Sequence, residues 1–292
     1  MSHTKRIALA ILAALGALNA PSVLASASYS FDCSKTDCSN SIAPSSLGSS
    51  SWGNTRSFST VESVTGTTIT VTAQAIANTN GTSTTNNAAA QTIDTAYLAA
   101  YGTVGQASGS NGLGISNKDM YGTGADLDSS EGVVPEHAMD NNQRYDMVLL
   151  TFSTAVTLSQ ISLGYVNTDS DVSILAYTGA GVAPLIGKTF AQLVTSGWSA
   201  VGSYADVGTG TAKTVNASNV SSTTWLIGAY NPLTGDTSCS ACDSGNDYVK
   251  LLSVSIKDQT KPPTTDVPEP ASLALVGLAL AGVAVSRRYK KK

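Results

Sequence analysis

Charge is scarce in this 292-residue chain: Asp, Glu, Lys and Arg make up 12% of it, against roughly 25% in an average soluble domain. Coiled coils and helical bundles need more than that on their polar faces, and a nucleic-acid binder needs a basic surface. Histidine is almost absent. His3 lies in an N-terminal targeting stretch, which leaves His137 as the one imidazole for catalysis. No Gly-x-Ser-x-Gly elbow occurs, so a Ser-His-Asp hydrolase lacks its usual nucleophile turn. No stretch between Ser28 and Lys261 keeps a helical period for a dozen residues or so. What is abundant is the small hydroxyl side chain, with 40 Ser and 34 Thr beside 26 Gly.

Alternation of apolar and polar residues, rich in β-branched types, recurs instead. Thr67 to Ala73, Tyr145 to Phe152, Val156 to Leu163, Val172 to Tyr177, Thr223 to Tyr230 and Tyr248 to Ile256 read as strands, separated by Gly, Asn, Asp and Ser clusters. About ten such strands predict an all-β ectodomain over residues 28–260, a β-sandwich or jelly roll. Two short helical turns are expected, at Asp94–Ala100 and Thr189–Ser196. The low-complexity run Asn78 to Ala90 reads as a surface loop.

The two ends are of another character. Lys5 and Arg6 precede the apolar run Ile7 to Leu18, which Asn19 and Pro21 break. Ala25-Ser26-Ala27 then offers small residues for cleavage. Residues 1–27 therefore read as a secretory signal peptide cut after Ala27, with a competing site after Ala25. At the other end, the polar linker 261–266 leads to Val267-Pro268-Glu269-Pro270, an uncharged stretch from Ala271 to Val285, and Arg287-Arg288-Tyr289-Lys290-Lys291-Lys292. Fifteen helical residues cover about 22 Å, short of a hydrocarbon core of roughly 30 Å, which flanking basic side chains can extend by snorkelling. A single transmembrane helix at 271–285 is expected. Arg287, Arg288, Lys290, Lys291 and Lys292 would hold its tail in the cytoplasm and the body outside.

That order of parts, a Pro-Glu-Pro tripeptide, a short span and a basic cluster, resembles the PEP-CTERM sorting domain of bacteria, over residues 267–292. The resemblance implies recognition of Pro268, Glu269 and Pro270 by exosortase, an integral-membrane protease-transpeptidase that removes the tail during export. Four ectodomain stretches, Gly112 to Asn117, Glu136 to Asn141, Asp169 to Tyr177 and Trp225 to Pro232, resemble exosortase-dependent surface proteins of Gram-negative bacteria. That second resemblance implies a location at the cell surface and no reaction. Without its two ends the chain holds nine basic and nineteen acidic residues, a charge near −10. Such a surface disfavours nucleic acid and anionic lipid and suits cations.

Candidate sites in the ectodomain are few. Cys33-x4-Cys38 and Cys239-x2-Cys242 could hold zinc by spacing, but export favours disulfides, with the pairing left open. Thiol redox chemistry at Cys239-Ser-Ala-Cys242 is a third reading. Acidic turns at Asp126–Glu131, Asp140–Asn142, Asp169–Asp171 and Asp243–Asp247 offer oxygens to calcium, with Asp169 and Asp171 the first choice; Asp and Asn also favour such turns for their own backbone bonds. No other cofactor is called for. His137 beside Asp140 could act as a base but is better read as structural. Trp52 and Trp198, in Gly/Ser-rich turns, are candidates for stacking on sugar, whereas Trp225 reads as core. Sequons at Asn80, Asn216 and Asn219 carry little weight. The sequence thus points to an exported, non-enzymatic protein of the cell surface or the extracellular polysaccharide matrix, the alternative being a secreted carbohydrate-binding module with or without bound calcium.

Overall fold

The computed structural model describes residues 27–31, 52–80, 89–101, 111–118, 135 and 137–258. The chain divides into two units, Met1–Gln259 and Thr260–Lys292. The second unit, and with it the expected span and sorting tripeptide, lies outside the described residues, as do the signal residues before Ala27.

The first unit is all-β, built from two antiparallel sheets. One contains β1 (Ala27–Ser30), β5 (Tyr97–Tyr101), β6 (Gly112–Ser116), β7 (Met139–Asp140), β9 (Leu158–Thr168), β12 (Lys213–Thr214) and β14 (Asp247–Ile256), with β12-β9-β14-β6-β5 as its main path. Strand β14 is its hub. One edge of β14 pairs with β9 along its length, and the other receives β7, β6 and β1 in turn. The second sheet runs β11 (Trp198–Tyr204), β10 (Val172–Tyr177), β13 (Ser222–Ala229), β8 (Asp146–Val156), β3 (Thr68–Asn80), β2 (Thr55–Val61), with β4 (Thr92–Thr95) on β3.

Alternation decides which residues face inward. Val148, Leu150 and Phe152 of β8 join Ile69, Val71, Trp225, Ile227, Leu163, Val249, Leu251 and Val254 in one core that draws on both sheets. The sheets therefore form a sandwich. Trp225 is fully buried there, as its apolar run predicts. The opposite face of the second sheet carries Ile76, Met147, Leu175 and Leu226. It is covered by the segment holding Leu185, Phe190 and Leu193, which also packs on Trp198 of β11. Within that segment lies α1 (Phe190–Leu193), one turn closed by a capping box: Gln192 N–H donates to the Thr189 hydroxyl and Thr189 N–H to the Gln192 side chain. The helical turn expected at Thr189–Ser196 is thus present.

The turn expected at Asp94–Ala100 is not. Ile93 and Leu98 are fully buried and their neighbours pair with β3 and β6, so two short strands replace it. The low-complexity run also begins later than expected. Strand β3 continues through Asn80, and the buried Asn78 side chain accepts a hydrogen bond of 2.7 Å from Tyr145 N–H; residues 81–88 lie outside the described ones.

Strand β5 ends its sheet's main path, and an open edge invites pairing with another chain. Asn54 closes part of it. Its Nδ2 donates to Leu98 O at 3.0 Å and its Oδ1 accepts from Leu98 N–H at 2.8 Å, as a neighbouring strand would. Asn54→Ala is expected to lower stability by about 2 kcal/mol in urea unfolding, from two partly buried bonds of about 1 kcal/mol each. No change in the unfolding midpoint would show that water replaces the amide at no cost.

Candidate functional site

Three of the four acidic turns meet at one place. Asp171 immediately precedes β10, Asp247 opens β14, and the loop Asp243–Asn246 runs between the Cys239 turn and β14. Asp171 is 1% exposed and Asp247 wholly buried. Asp171 Oδ1 accepts from Asp206 N–H at 2.9 Å and its Oδ2 from Asp243 N–H at 3.0 Å. Asp171 N–H donates in turn to Asp247 Oδ1 at 2.7 Å. Asn141 completes the knot. Its Nδ2 donates to Asp247 Oδ2 and Tyr230 O at 2.5 and 2.9 Å, and its Oδ1 accepts from Gly245 and Asp247 N–H at 2.9 and 3.1 Å. Turn residues that bond backbone in this way are the ordinary use of Asp and Asn, here extended across a hundred residues of sequence.

The electrostatics are those of carboxylates taken out of water. Burial pushes Asp247 up to about 7, against hydrogen bonds from Asp171 N–H and Asn141 and with help from the nearby Asp171 and Asp169 charges. Asp171 is also raised by burial, opposed by the Asp206 and Asp243 amides. Carboxylate oxygens of Asp169, Asp171 and Asp206 lie within 4.8 Å of one another. The two first-choice residues are therefore together, and Asp206 joins them. Asp206 sits in the left-handed region at φ 50°, which turns the chain after β11 toward Asp171. Hard oxygen donors at that spacing suit a divalent cation such as calcium, and no redox metal or zinc would be preferred by them. The turn Asp126–Glu131 lies outside the described residues.

His137 does not stand as a free base. It is 8% exposed, and its Nε2 lies 3.0 Å from Lys250 Nζ, while Asp140 Oδ1 accepts from Asn142 N–H. Lys250 projects from the outer face of β14 onto the Tyr165 ring of β9, 4.7 Å from its centroid. It is 1% exposed, and burial lowers it to about 8. The aromatic face and the imidazole nitrogen partner the Lys250 amine, while burial still disfavours its charge. Sequence reading missed Lys250 and Asp206. Lys250 is the one charge in the run Tyr248 to Ile256, and that isolation was its signal.

Cys239 and Cys242 are bonded to each other, so these two cysteines pair locally. The bond rules out a four-thiolate zinc site. Closing so short a loop is worth about 2 kcal/mol in the chain-entropy picture, less than half of what a crossed pair would supply. Cys33 and Cys38 lie outside the described residues. Trp198 corrects another expectation. It is 2% exposed, tilted against Tyr177 at 5.5 Å, with its indole N–H donating to Pro184 O. The segment that covers the second sheet buries it, so it cannot stack on sugar. Trp52 is half-buried beside Tyr97 and Ala99, in a separate cluster.

Among the described residues no helix is long and apolar enough to cross a membrane. The comparison with known families bears on the other unit. The PEP-CTERM protein-sorting motif is matched at residues 266–288, which takes in Pro268-Glu269-Pro270, the uncharged stretch and Arg287-Arg288. No curated protein and no solved structure matches the chain. The motif implies export to the cell surface and processing by exosortase. The chain is, on that match, a protein that carries the PEP-CTERM protein-sorting motif at its C-terminal end.

Proposed function

We propose that the protein is an exosortase-sorted component of the bacterial cell surface or its extracellular polysaccharide matrix, with a non-enzymatic ectodomain. The observation that carries the reading is the sorting motif at residues 266–288 following a β-sandwich. His137, the one imidazole of the ectodomain, is engaged with a buried lysine, which supports a structural role for it. The test is fractionation of cells expressing an ectodomain-tagged chain, with and without exosortase. The tag should reach the surface or matrix in the first case and stay in the inner-membrane fraction in the second. Equal surface exposure in both would overturn the reading.

A second reading, stabilisation by calcium, is favoured by the convergence of Asp169, Asp171 and Asp206. A cation that binds only the native state raises stability by mass action. Millimolar calcium at fixed ionic strength should raise the melting temperature by several degrees relative to chelator. Asp169→Asn with Asp206→Asn should abolish the rise. Asp171 is left intact in that test because both of its oxygens hold main-chain amides. Superimposable melting curves in calcium and chelator would retire the reading, as would an undiminished rise in the double variant.

A further inference from the structure

An open sheet ends in strands whose outer backbone groups can bind another chain, and folds blunt such edges. Among the described residues, three of the strands that end the two main paths are blunted. Strand β5 is capped by the Asn54 side chain, β12 is two residues long, and β11 carries an extra residue, Val201, at a bulge in its pairing with β10. Strand β2 has no such device. It pairs with β3 over 7 consecutive residues, from Thr55 with Gln74 to Val61 with Thr68, without a bulge and without Pro or Gly. Among the described residues β3 is its only sheet neighbour. The alternation of the ladder says which groups face outward. Glu62 N–H donates to Thr67 O at 2.9 Å across the turn that joins the two strands, so Thr60, Phe58 and Arg56 also turn their backbone groups toward β3. Opposite Ser59, Thr70 N–H turns away and donates to the Ser153 hydroxyl, as this alternation requires. The N–H and C=O groups of Thr55, Ser57, Ser59 and Val61 therefore point out from the free edge.

We infer that β2 pairs with β2 of a second copy of this chain, in an antiparallel ladder about a two-fold axis at Phe58. A two-fold interface needs a surface that complements itself. In this register Thr55 lies opposite Val61, Ser57 opposite Ser59, Arg56 opposite Thr60 and Phe58 opposite its own counterpart. It is the one register that pairs all 7 residues of the strand. The outward backbone groups then meet one another: Thr55 with Val61 and Ser57 with Ser59 are the hydrogen-bonded pairs, and Phe58 takes the non-hydrogen-bonded position, where side chains come closest. The side chains agree with it. Thr55, Ser57, Ser59 and Val61 are exposed on the outer face, so hydroxyl meets hydroxyl and one β-branched residue meets another. Val61 is 61% exposed, the largest such value for an apolar residue within a strand. Phe58 turns inward, packs on the main core and on Phe31, and is only half-buried; its counterpart would cover the rest. Arg56, the one charge of the strand, meets a hydroxyl and not another cation. An axis at Arg56 would instead set the two guanidinium groups against each other. The dimer would join the second sheets of two sandwiches into one continuous sheet.

The inference goes beyond the sorting reading and fails separately from it: a chain that reaches the surface as a monomer overturns the dimer and leaves sorting standing. The purified exported chain should sediment as a dimer that dissociates on dilution. Ser59→Pro removes an N–H that β3 does not use, so it should abolish the dimer while the sandwich stays folded. Two double variants test the register through exposed side chains alone, where folding is not at stake. Ser57→Lys with Ser59→Lys sets lysine against lysine at two symmetry-related places and should weaken the dimer roughly tenfold at low salt. Ser57→Lys with Ser59→Glu sets lysine against glutamate at the same places and should stay within about threefold of wild type. A wild-type chain that is monomeric at every concentration would overturn the inference. So would a dimer that survives Ser59→Pro, or one that the two double variants weaken equally.

Discussion

Glu269→Ala should leave the chain in the membrane but uncut. The mutant is expected to accumulate as one species about 2 to 3 kDa heavier than the wild-type product, given a basic tail of roughly 20 to 25 residues. A plain anchor needs length, apolarity and a basic stop, which Ala271 to Val285 and the five basic residues after it supply. It gains nothing from a charged tripeptide outside the hydrocarbon. A signal that is read by a protein does depend on it. Glu269 would offer such a reader a carboxylate, and a proline on either side disfavours helix there. Loss of exosortase should give the same heavy species. The decisive comparison is among wild type, Glu269→Ala and the exosortase-deficient strain, by gel mobility and a tail-directed antibody. If all three retain the tail equally, residues 266–288 act as an anchor alone.

The sorting motif was legible because its parts are contiguous: tripeptide, span and basic cluster follow one another within 25 or so residues. The strands with strong alternation were legible for the same reason. Val172–Tyr177 is found with the bounds its pattern gives, and the runs beginning at Tyr145, Thr223 and Tyr248 shift by a residue or a few. Strands β4, β7 and β12, of two to four residues, were not legible. They exist because longer strands offer edges to them, and a pattern of two residues has no period. Asp94–Ala100 was misread as helical for a related reason. Its apolar spacing fits either period, and the choice is made by pairing with β3 and β6.

In the polar cluster the sequence showed the pieces and not the join. Asp140–Asn142, Asp169–Asp171 and Asp243–Asp247 were each recognisable as acidic turns, but nothing local shows that Asn141 binds Gly245 and Asp247 across a hundred residues. Asp206 was missed because one Asp in a Gly-rich turn is ordinary; only the fold brings its carboxylate to Asp169 and Asp171. Trp198 was misplaced because the Gly and Ser around it describe the turn and not the segment folded over it. Burial on the outer face of a sheet depends on what covers that face, and the cover here is α1 and the residues before it.

The buried ionisable groups set a distinctive pH profile, with stability lowest between about pH 7 and 8. Asp247 is raised from its ordinary 3.8 to about 7 by burial. The unfolded carboxyl loses its proton first, so the native state binds more protons over that interval. Stability is then fullest below about pH 4 as far as this group is concerned, and is lost as pH climbs to 7, by at most about 4 kcal/mol. Asp171, also raised by burial, acts in the same direction. Lys250 has the opposite sign. Burial lowers it from 10.5 to about 8, so between 8 and 10.5 the unfolded chain holds the extra proton and stability rises again, by about 3 kcal/mol. Urea midpoints of the mature ectodomain in chelator, taken from pH 5 to 10, should trace a trough. Lys250→Met should erase the alkaline rise and leave the acid side unchanged. Asp247→Asn should flatten the fall from pH 5 to 7 whatever it does to the mean, because the slope reports protons and not packing. Calcium held by Asp169, Asp171 and Asp206 would offset their repulsion and make the trough shallower from its acid side alone. A profile flat from pH 5 to 10, or a Lys250→Met variant that keeps the alkaline rise, would show that these groups stay in contact with water.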